Sequence, residues 1–286
     1  MQLLNGNEVS KALKVTIKAQ VDELKLAGAK VPHLAAILVG SDGASMTYVA
    51  AKEKDCQEVG FHSTVLRFDA TITEQALLAE VEKINNNADI DGLIVQLPLP
   101  KHINEKKVTE TIDWRKDVDG FHPYNVGLMF KGLPCYLPAT PYGIIKLLEH
   151  YQIETTGKNC VVIGRSDIVG KPMSALMLNK NCTVTVCHSK TKDIHSFTKN
   201  ADILIAAVGI PNYVKADMVK PGAVVIDVGI TRVDADNAKG YQLVGDVDFE
   251  NVAPHTGYIT PVPGGVGPMT RIALLLNTLQ AVKVSK

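Results

Sequence analysis

Residues 161–172, VVIGRSDIVGKP, decide the fold, because here an apolar, β-branched run leads into a glycine turn and then into a predicted helix. A helix N-terminus presents free backbone N–H groups and a partial positive charge, and glycines let a pyrophosphate approach the backbone. The spacing departs from the usual G-x-G-x-x-G pattern, since Ser166 stands between Gly164 and Gly170. The stretch predicts a dinucleotide-binding turn, with an ordinary strand-to-helix turn as the alternative.

The chain after this turn alternates short apolar runs with short helices or loops, which is typical of a doubly wound sheet. The turn therefore belongs to a predicted Rossmann-like domain. Its expected strands are residues 160–163, 183–187, 203–208, 224–228 and 242–244.

The chain before the turn predicts a second lobe of the α/β class with a mainly parallel sheet. An amphipathic helix opens the chain, and a continuous apolar run at residues 34–40 is typical of a buried parallel strand. The predicted elements that follow are a helix through Tyr48 and Lys52, a strand at 63–68, a helix at 73–85 and a strand at 92–96.

Turn residues dominate positions 97–137, and a loop of that length in a compact domain is more often functional than idle. We expect it to line a cleft. A predicted helix at 140–151 connects the lobes, and a last helix opened by Pro268 returns to the first lobe. The expected domains are thus an α/β domain at 1–139 joined by 266–286, and a Rossmann-like dinucleotide-binding domain at 140–265.

Charge and cysteine content exclude several classes of protein. The 30 Lys and Arg residues balance 30 Asp and Glu residues, which disfavours nucleic acid and anionic membranes as partners. The five cysteines form no C-x-x-C pair, so neither a metal site nor a disulfide framework is expected. With no secretion signal and no long apolar run, we expect a cytoplasmic protein with reduced thiols.

The second predicted strand of the Rossmann-like domain favours NADP over NAD. An NAD site expects an acidic residue near the end of this strand, but the sequence there is VCHSK. Arg165 and Ser189 would instead hold a 2'-phosphate through a charge-assisted contact and a hydroxyl donor, and Lys190 would add charge. A solvent-exposed loop cation is the alternative for Arg165.

Tyr48 and Lys52 lie four residues apart on a predicted helix, so they share one face. Ser45, one turn before Tyr48, is the expected cap of this helix. The Tyr-x-x-x-Lys pattern also occurs in short-chain dehydrogenases, but there it follows the glycine turn within the same domain. Here it precedes that turn by more than a hundred residues. By themselves the two residues are equally compatible with an exposed helix face.

Motifs along the whole chain resemble the family of bifunctional methylenetetrahydrofolate dehydrogenase/methenyltetrahydrofolate cyclohydrolases of the bacterial FolD type. They also occur in the order of that family. The motifs are ASMTYVAAKEKDC at 44–56, QLPLP at 96–100, KDVDGFHP at 116–123, GRSDIVGKP at 164–172, CHSKT at 187–191 and TPVPGGVGPMT at 260–270.

The resemblance implies NADP-dependent oxidation of 5,10-methylene-tetrahydrofolate, followed by hydrolysis to 10-formyl-tetrahydrofolate, in one cleft between two lobes of a homodimeric enzyme of one-carbon metabolism. Lys52 would exchange protons during hydrolysis, with Gln96 holding it in place. Tyr48 would pack on the folate and order Lys52. Asp119 would accept the adjacent N–H donors of the pterin, whereas Asp117 is interpreted as structural.

The resemblance assigns further contacts near the nicotinamide. Pro263, Gly264 and Gly265 would let backbone approach the substrate, and Ile230 would contact the cofactor through its backbone. The cofactor-binding set is then Gly164, Arg165, Ser166, Gly170, Ser189 and Ile230. Three alternatives stay open at this point: a dehydrogenase without hydrolase activity, a non-catalytic NADP-binding sensor, and another two-lobed dehydrogenase such as a shikimate-type enzyme.

Overall fold

The computed structural model describes residues 1–237 and 240–284 as two compact units. The unit with the smaller sheet, called here the small-sheet unit, comprises Lys11–Ala139 and the described residues from Arg271 onward. The large-sheet unit comprises Met1–Ser10 and Thr140–Thr270. No helix of the described residues is long and apolar enough to cross a membrane.

The small-sheet unit has a three-stranded parallel sheet in the order β3-β2-β4. Its strands are β2 (His33–Val39), β3 (His62–Phe68) and β4 (Gly92–Val95), close to the predicted positions. Its helices, apart from the shared α1 and α10, are α2 (Gly43–Val59), α3 (Glu74–Asn85), α4 (Glu105–Thr111) and α5 (Pro123–Phe130).

Two hydrophobic cores cover the two faces of this sheet. Alternate residues of β2 point to opposite faces, so Leu34 and Leu38 pack in one core while Ile37 packs in the other. The first core includes residues of α1 (Gly6–Leu26), α2 and α10 (Val266–Val284), and the second includes residues of α3 and α4. Burial on both faces explains why β2 has a continuous apolar sequence.

The interpretation of residues 97–137 as one long loop is wrong, because α4 and α5 lie within it. Both helices have recognisable caps: Asn104 accepts from the Lys107 N–H at 3.2 Å, and His122 Nδ1 accepts from the Tyr124 N–H at 3.1 Å. Each helix has at most eight residues. Such short helices show too few turns for helical periodicity to stand out among turn residues.

The large-sheet unit contains a six-stranded parallel sheet in the order β1-β11-β8-β7-β5-β6. Its strands are β1 (Gln2–Leu3), β5 (Asn159–Ile163), β6 (Thr183–Cys187), β7 (Ile203–Ala206), β8 (Val224–Asp227) and β11 (Tyr258–Ile259). Its helices are α6 (Ala139–His150), α7 (Gly170–Asn179), α8 (Ile194–Thr198) and α9 (Phe249–Val252). The doubly wound α/β class is confirmed.

Two expectations for this unit are wrong. Residues 1–10 were assigned to the first domain, but β1 pairs with β11 in the large sheet, and a two-residue strand carries no readable pattern. The predicted strand at 242–244 exists as β10 (Tyr241–Val244), but it does not belong to the large sheet: among the described residues it pairs with β9 (Thr231–Asp234) in an antiparallel hairpin. Both hairpin strands are partly exposed, unlike the buried β7 and β8.

Candidate active site

Helix α2 and strand β4 bring Lys52 and Gln96 together. Lys52 Nζ donates to Gln96 Oε1 at 3.1 Å, and Gln96 Nε2 donates to the Leu97 carbonyl at 2.7 Å. The second bond fixes the orientation of the Gln96 amide, so its oxygen faces the lysine. The geometry confirms the predicted contact between these two side chains.

The cap of α2 differs from the sequence-based expectation, which gave this role to Ser45. Asp42 caps the helix instead, because its carboxylate accepts from the Ser45 N–H at 2.8 Å. A carboxylate at this end also suits the positive end of the helix dipole. The cap fixes the start of the helix that carries Tyr48 and Lys52 on successive turns.

Burial lowers the pKa of Lys52, while the negative charge of Asp119 partly opposes this shift. Conversely, burial raises the pKa of Asp119, and the charge of Lys52 opposes that shift. Each group is therefore displaced toward its neutral form by desolvation and held back by the other. A lysine with a lowered pKa is suited to exchange protons near neutral pH.

Asp119 reaches this position because residues 116–119 run beside β4. The Leu93 N–H donates to the Lys116 carbonyl at 2.8 Å, and Leu93 forms a parallel bridge with Asp117. Continuing in that direction, the chain brings Asp119 toward the carboxyl end of β4, where Gln96 follows. Among the described residues none forms a hydrogen bond with the Asp119 carboxylate, so its oxygens can accept from a ligand.

Asp117 supports the loop after Asp119. Its buried carboxylate accepts from the Phe121 N–H at 3.1 Å, the His122 N–H at 2.8 Å and the Asn125 side chain at 2.9 Å. Burial raises the pKa of Asp117 to about 7. These contacts agree with the structural interpretation of this residue.

Tyr48 lies on α2 one turn before Lys52 and is 36% exposed. In the described part of the chain its hydroxyl makes no hydrogen bond, so the expected ordering of Lys52 by Tyr48 stays a prediction. The ring is available to pack against a ligand.

The predicted dinucleotide-binding turn connects β5 to α7. Gly164 has a φ of +125°, and a Cβ atom there would lie 2.2 Å from the Ala207 carbonyl oxygen. A Cβ on Gly170 would lie 2.4 Å from the Gly164 oxygen. Ser166 Oγ accepts from the Val169 and Gly170 N–H groups at 3.2 and 3.3 Å, which still leaves its own hydrogen to donate. Only glycine fits both positions, as a close approach of phosphate requires.

Arg165 and Ser189 follow the carboxyl ends of paired strands. Ile163 pairs with Cys187, and the Gly164 N–H donates to the Cys187 carbonyl at 2.8 Å, so the two following loops share one edge of the sheet. Both side chains are exposed. With no acidic residue in the VCHSK stretch, the residues at this edge fit the 2'-phosphate of NADP.

The only carboxylate within the turn itself is Asp167, which forms an ion pair with Lys171 one helical turn later. The lysine offsets the negative charge that Asp167 would otherwise present to a phosphate. Lys190 is exposed, and its backbone N–H donates to His188 Nδ1 at 3.1 Å.

Sequence reasoning missed two buried carboxylates that shape the loops after β7 and β8. Asp246 accepts from the Val208 and Gly209 N–H groups at 2.7 and 3.0 Å. Asp227 accepts from three backbone N–H groups, of Gly229, Asp246 and Val247, at 2.9–3.0 Å. For Asp227 the available signal is an aspartate at the end of the apolar run VVID, whereas Asp246 follows the partly exposed β10 and has no such signal.

Burial raises the pKa of Asp227 to about 7. The loop that it supports leads to Ile230, which is 47% exposed. This places the Ile230 backbone beyond the carboxyl end of β8, on a loop of the kind that binds nucleotides in open α/β sheets.

The predicted substrate-contacting turn, Pro263 to Gly265, lies in the large-sheet unit. Gly264 has a φ of +105°, and its carbonyl accepts from the Asn7 N–H at 3.2 Å. A Cβ on Gly265 would lie 2.6 Å from the Pro261 carbonyl oxygen. Packing within this unit therefore explains both glycines, and their contact with substrate stays a prediction.

Comparison with known proteins relates both units to one family. The catalytic-domain model of tetrahydrofolate dehydrogenase/cyclohydrolase matches residues 4–119, and the NAD(P)-binding-domain model matches residues 138–286. A "Bifunctional protein FolD" of Phocaeicola vulgatus is 61% identical, covering 99% of this chain and 98% of its own.

Solved structures agree in fold over the full length. The bifunctional methylenetetrahydrofolate dehydrogenase/cyclohydrolase FolD of Campylobacter jejuni has a TM-score of 0.95 at 47% identity and covers 100% of both chains. The Trypanosoma brucei enzyme, solved with NADP cofactor and an inhibitor, has a TM-score of 0.94 at 38% identity, covering 98% of this chain and 97% of its own. This chain belongs to the tetrahydrofolate dehydrogenase/cyclohydrolase family.

Proposed function

We propose that this chain oxidises 5,10-methylene-tetrahydrofolate with NADP and then hydrolyses the 5,10-methenyl product to 10-formyl-tetrahydrofolate. The observation that carries the proposal is the bond from Lys52 Nζ to Gln96 Oε1, with the charge of Asp119 acting on the same lysine. These groups occur in a family whose relatives are named as bifunctional enzymes.

Oxidation needs orientation more than it needs a base. The lone pairs of the two nitrogens that flank the methylene carbon favour loss of hydride, so the protein has to hold the carbon in line with the acceptor. When bound, NADP supplies the nicotinamide carbon that accepts this hydride. The contribution of the chain is to fix the pterin through Asp119 and to pack Tyr48 against the folate.

Hydrolysis uses Lys52 in its neutral form. Water attacks the methenyl carbon, and Lys52 Nζ takes a proton from that water as the C–O bond forms. The bond from this carbon to N5 then breaks as Lys52 returns the proton to N5. The remaining hydroxyl loses its proton to solvent, which leaves a formyl group on N10 and releases one proton overall. The hydrogen bond to Gln96 holds the amine in one place between these transfers.

Asp119 is proposed as the folate anchor because a pterin presents adjacent N–H donors that one carboxylate can accept together. The carboxylate is half-buried and makes no hydrogen bond to other described residues. A ligand that brings two N–H donors would therefore satisfy a group that burial otherwise disfavours.

For NADP, we propose that Gly164, Ser166 and Gly170 bind the pyrophosphate at the α7 N-terminus. Arg165 and Ser189 would bind the 2'-phosphate. The Ile230 backbone and the turn at Pro263, Gly264 and Gly265 are proposed to lie at the nicotinamide end.

We further propose a homodimer in the cytoplasm. Among the described residues, β6 is one of the two edge strands of the large sheet and exposes Val186. Leu178 on α7 is 61% exposed, so this edge offers apolar surface to a second copy. All five cysteines are free thiols, as in a reducing compartment. Sedimentation equilibrium tests the dimer, and a monomeric mass at micromolar concentration would contradict it.

The proposed activity is tested by supplying purified protein with methylene-tetrahydrofolate and either NADP or NAD. We expect reduced cofactor and 10-formyl-tetrahydrofolate, with NADP used in preference. Accumulation of the methenyl compound without faster hydrolysis than in buffer would indicate a dehydrogenase alone. Binding of NADP without turnover of any folate would indicate a sensor.

A further inference from the structure

Asn277 makes two buried hydrogen bonds that link α10 to the segments around Asp119. Its Nδ2 donates to the Val118 carbonyl and to the Leu137 carbonyl, both at 2.8 Å. Two carbonyl acceptors fix which end of the amide points toward them. The side chain is completely buried.

One of these carbonyls belongs to the turn that carries Asp119, and the other belongs to the segment that packs against this turn. Val118 directly precedes Asp119, and Gly120 follows it with a φ of +72°. A Cβ on Gly120 would lie 2.5 Å from the Pro138 nitrogen, so this turn packs tightly against residues 137 and 138. Asn277 therefore links the segment that carries Asp119 to the segment at residues 137 and 138, which packs against it.

The Asp119 carboxylate has no hydrogen-bonding partner among the described residues, so its position depends on its backbone. Asp117 holds the following loop by accepting from Phe121 and His122. Asn277 holds the preceding carbonyl. The backbone of Asp119 is thus fixed from both sides.

A packing role alone does not explain an asparagine at this position. Asn277 Oδ1 is buried and lacks a partner within residues 1–237 and 240–284. A leucine of similar size would fill the space without this unpaired acceptor, whose burial is unfavourable. The amide is useful here for the two bonds that it donates.

We propose that Asn277 is a positioning residue for folate binding, acting through Asp119. This inference rests on the proposed role of Asp119 as the folate anchor. It predicts that loss of the two donated bonds impairs recognition of folate while leaving NADP binding intact.

The test compares Asn277→Leu with Thr278→Val. Thr278 is the adjacent buried polar residue on α10, but its Oγ1 donates to the Leu274 carbonyl within the same helix. We expect N277L to raise KM for methylene-tetrahydrofolate about tenfold, the effect of one misdirected hydrogen bond, with KM for NADP unchanged. T278V should leave both constants unchanged.

A second variant, Asn277→Asp, keeps the size of the side chain but turns a carboxylate oxygen toward a carbonyl. It should raise the folate KM at least as much as N277L. An unchanged folate KM in both variants would overturn the inference. Equal increases in the two KM values would also overturn it, since that pattern indicates general loss of structure.

A double-mutant cycle separates this inference from the proposal on which it rests. In an Asp119→Asn background, N277L should add little further increase in folate KM, because its effect passes through the missing carboxylate. If N277L raised the folate KM in the D119N background by the same factor as in the unmodified protein, the positioning role would be contradicted. An unchanged folate KM in D119N alone would instead overturn the anchoring role, and the positioning role with it.

Discussion

Replacing Lys52 by methionine separates the two proposed reactions. Methionine keeps an unbranched side chain of similar length but removes the amine that exchanges protons. General acid–base catalysis contributes about 10²- to 10⁴-fold, so we expect the rate of methenyl-tetrahydrofolate hydrolysis to fall by about that factor. Binding of NADP should not change, because the residues of the glycine turn are untouched.

The stability effects of Lys52→Met should nearly cancel. The variant loses the 3.1 Å hydrogen bond to Gln96, a change of about 1 kcal/mol. It also removes an amine whose lowered pKa shows that burial disfavours its charged form. A change of 1 kcal/mol shifts the melting temperature by about 2–4 °C in domains of this size, so a larger fall would indicate misfolding.

The matched control is Lys54→Met, two residues along the same helix, whose side chain is 76% exposed and is 3.9 Å from Glu58. The assay supplies methenyl-tetrahydrofolate directly and follows its disappearance, with NADP binding measured by calorimetry. K54M should hydrolyse at the unmodified rate. If K52M hydrolysed methenyl-tetrahydrofolate at a rate within about threefold of K54M, the loss would be far smaller than that expected for a general base. That result would refute the role of Lys52.

Three other changes test other parts of the proposal. Asp119→Asn removes the charge that raises the pKa of Lys52. The hydrolysis rate rises with pH as Lys52 loses its proton, so this rise should move to lower pH in the variant. A move to higher pH would contradict the proposed interaction. Arg165→Ala should raise KM for NADP about tenfold or more and leave KM for NAD unchanged. An equal increase in both KM values would exclude a contact between Arg165 and the 2'-phosphate. Asp246→Ala leaves two backbone N–H groups unpaired and should lower the free energy of unfolding in urea by about 2 kcal/mol or more, while Asp217→Ala, an exposed change, should not.

The local sequence was sufficient to predict features that depend mainly on residues close together in the chain. The apolar run that forms β2 is buried on both faces, so its composition alone predicts a parallel strand. Gly164 and Gly170 are required by backbone contacts close to the turn itself. For the same reason, helical spacing was enough to place Tyr48 and Lys52 on one side of α2.

Other features depend on partners distant in sequence and could not be predicted. β1 has two residues and exists because β11 lies beside it: Gln2 pairs with Tyr258 and Leu3 with Ile259, each 256 positions later in the chain. Asn277 contacts carbonyls 159 and 140 residues away, and nothing near it in sequence indicates this role. Such contacts form only in the tertiary fold, so residue type and spacing along the chain do not predict them.

The most direct test of the two-step activity is the product balance of the purified chain. With methylene-tetrahydrofolate and excess NADP, 10-formyl-tetrahydrofolate should appear in a one-to-one ratio with NADPH once the methenyl intermediate has reached a steady level, and K52M should form NADPH while methenyl-tetrahydrofolate accumulates. Absence of both NADPH and methenyl-tetrahydrofolate would contradict the proposed activity.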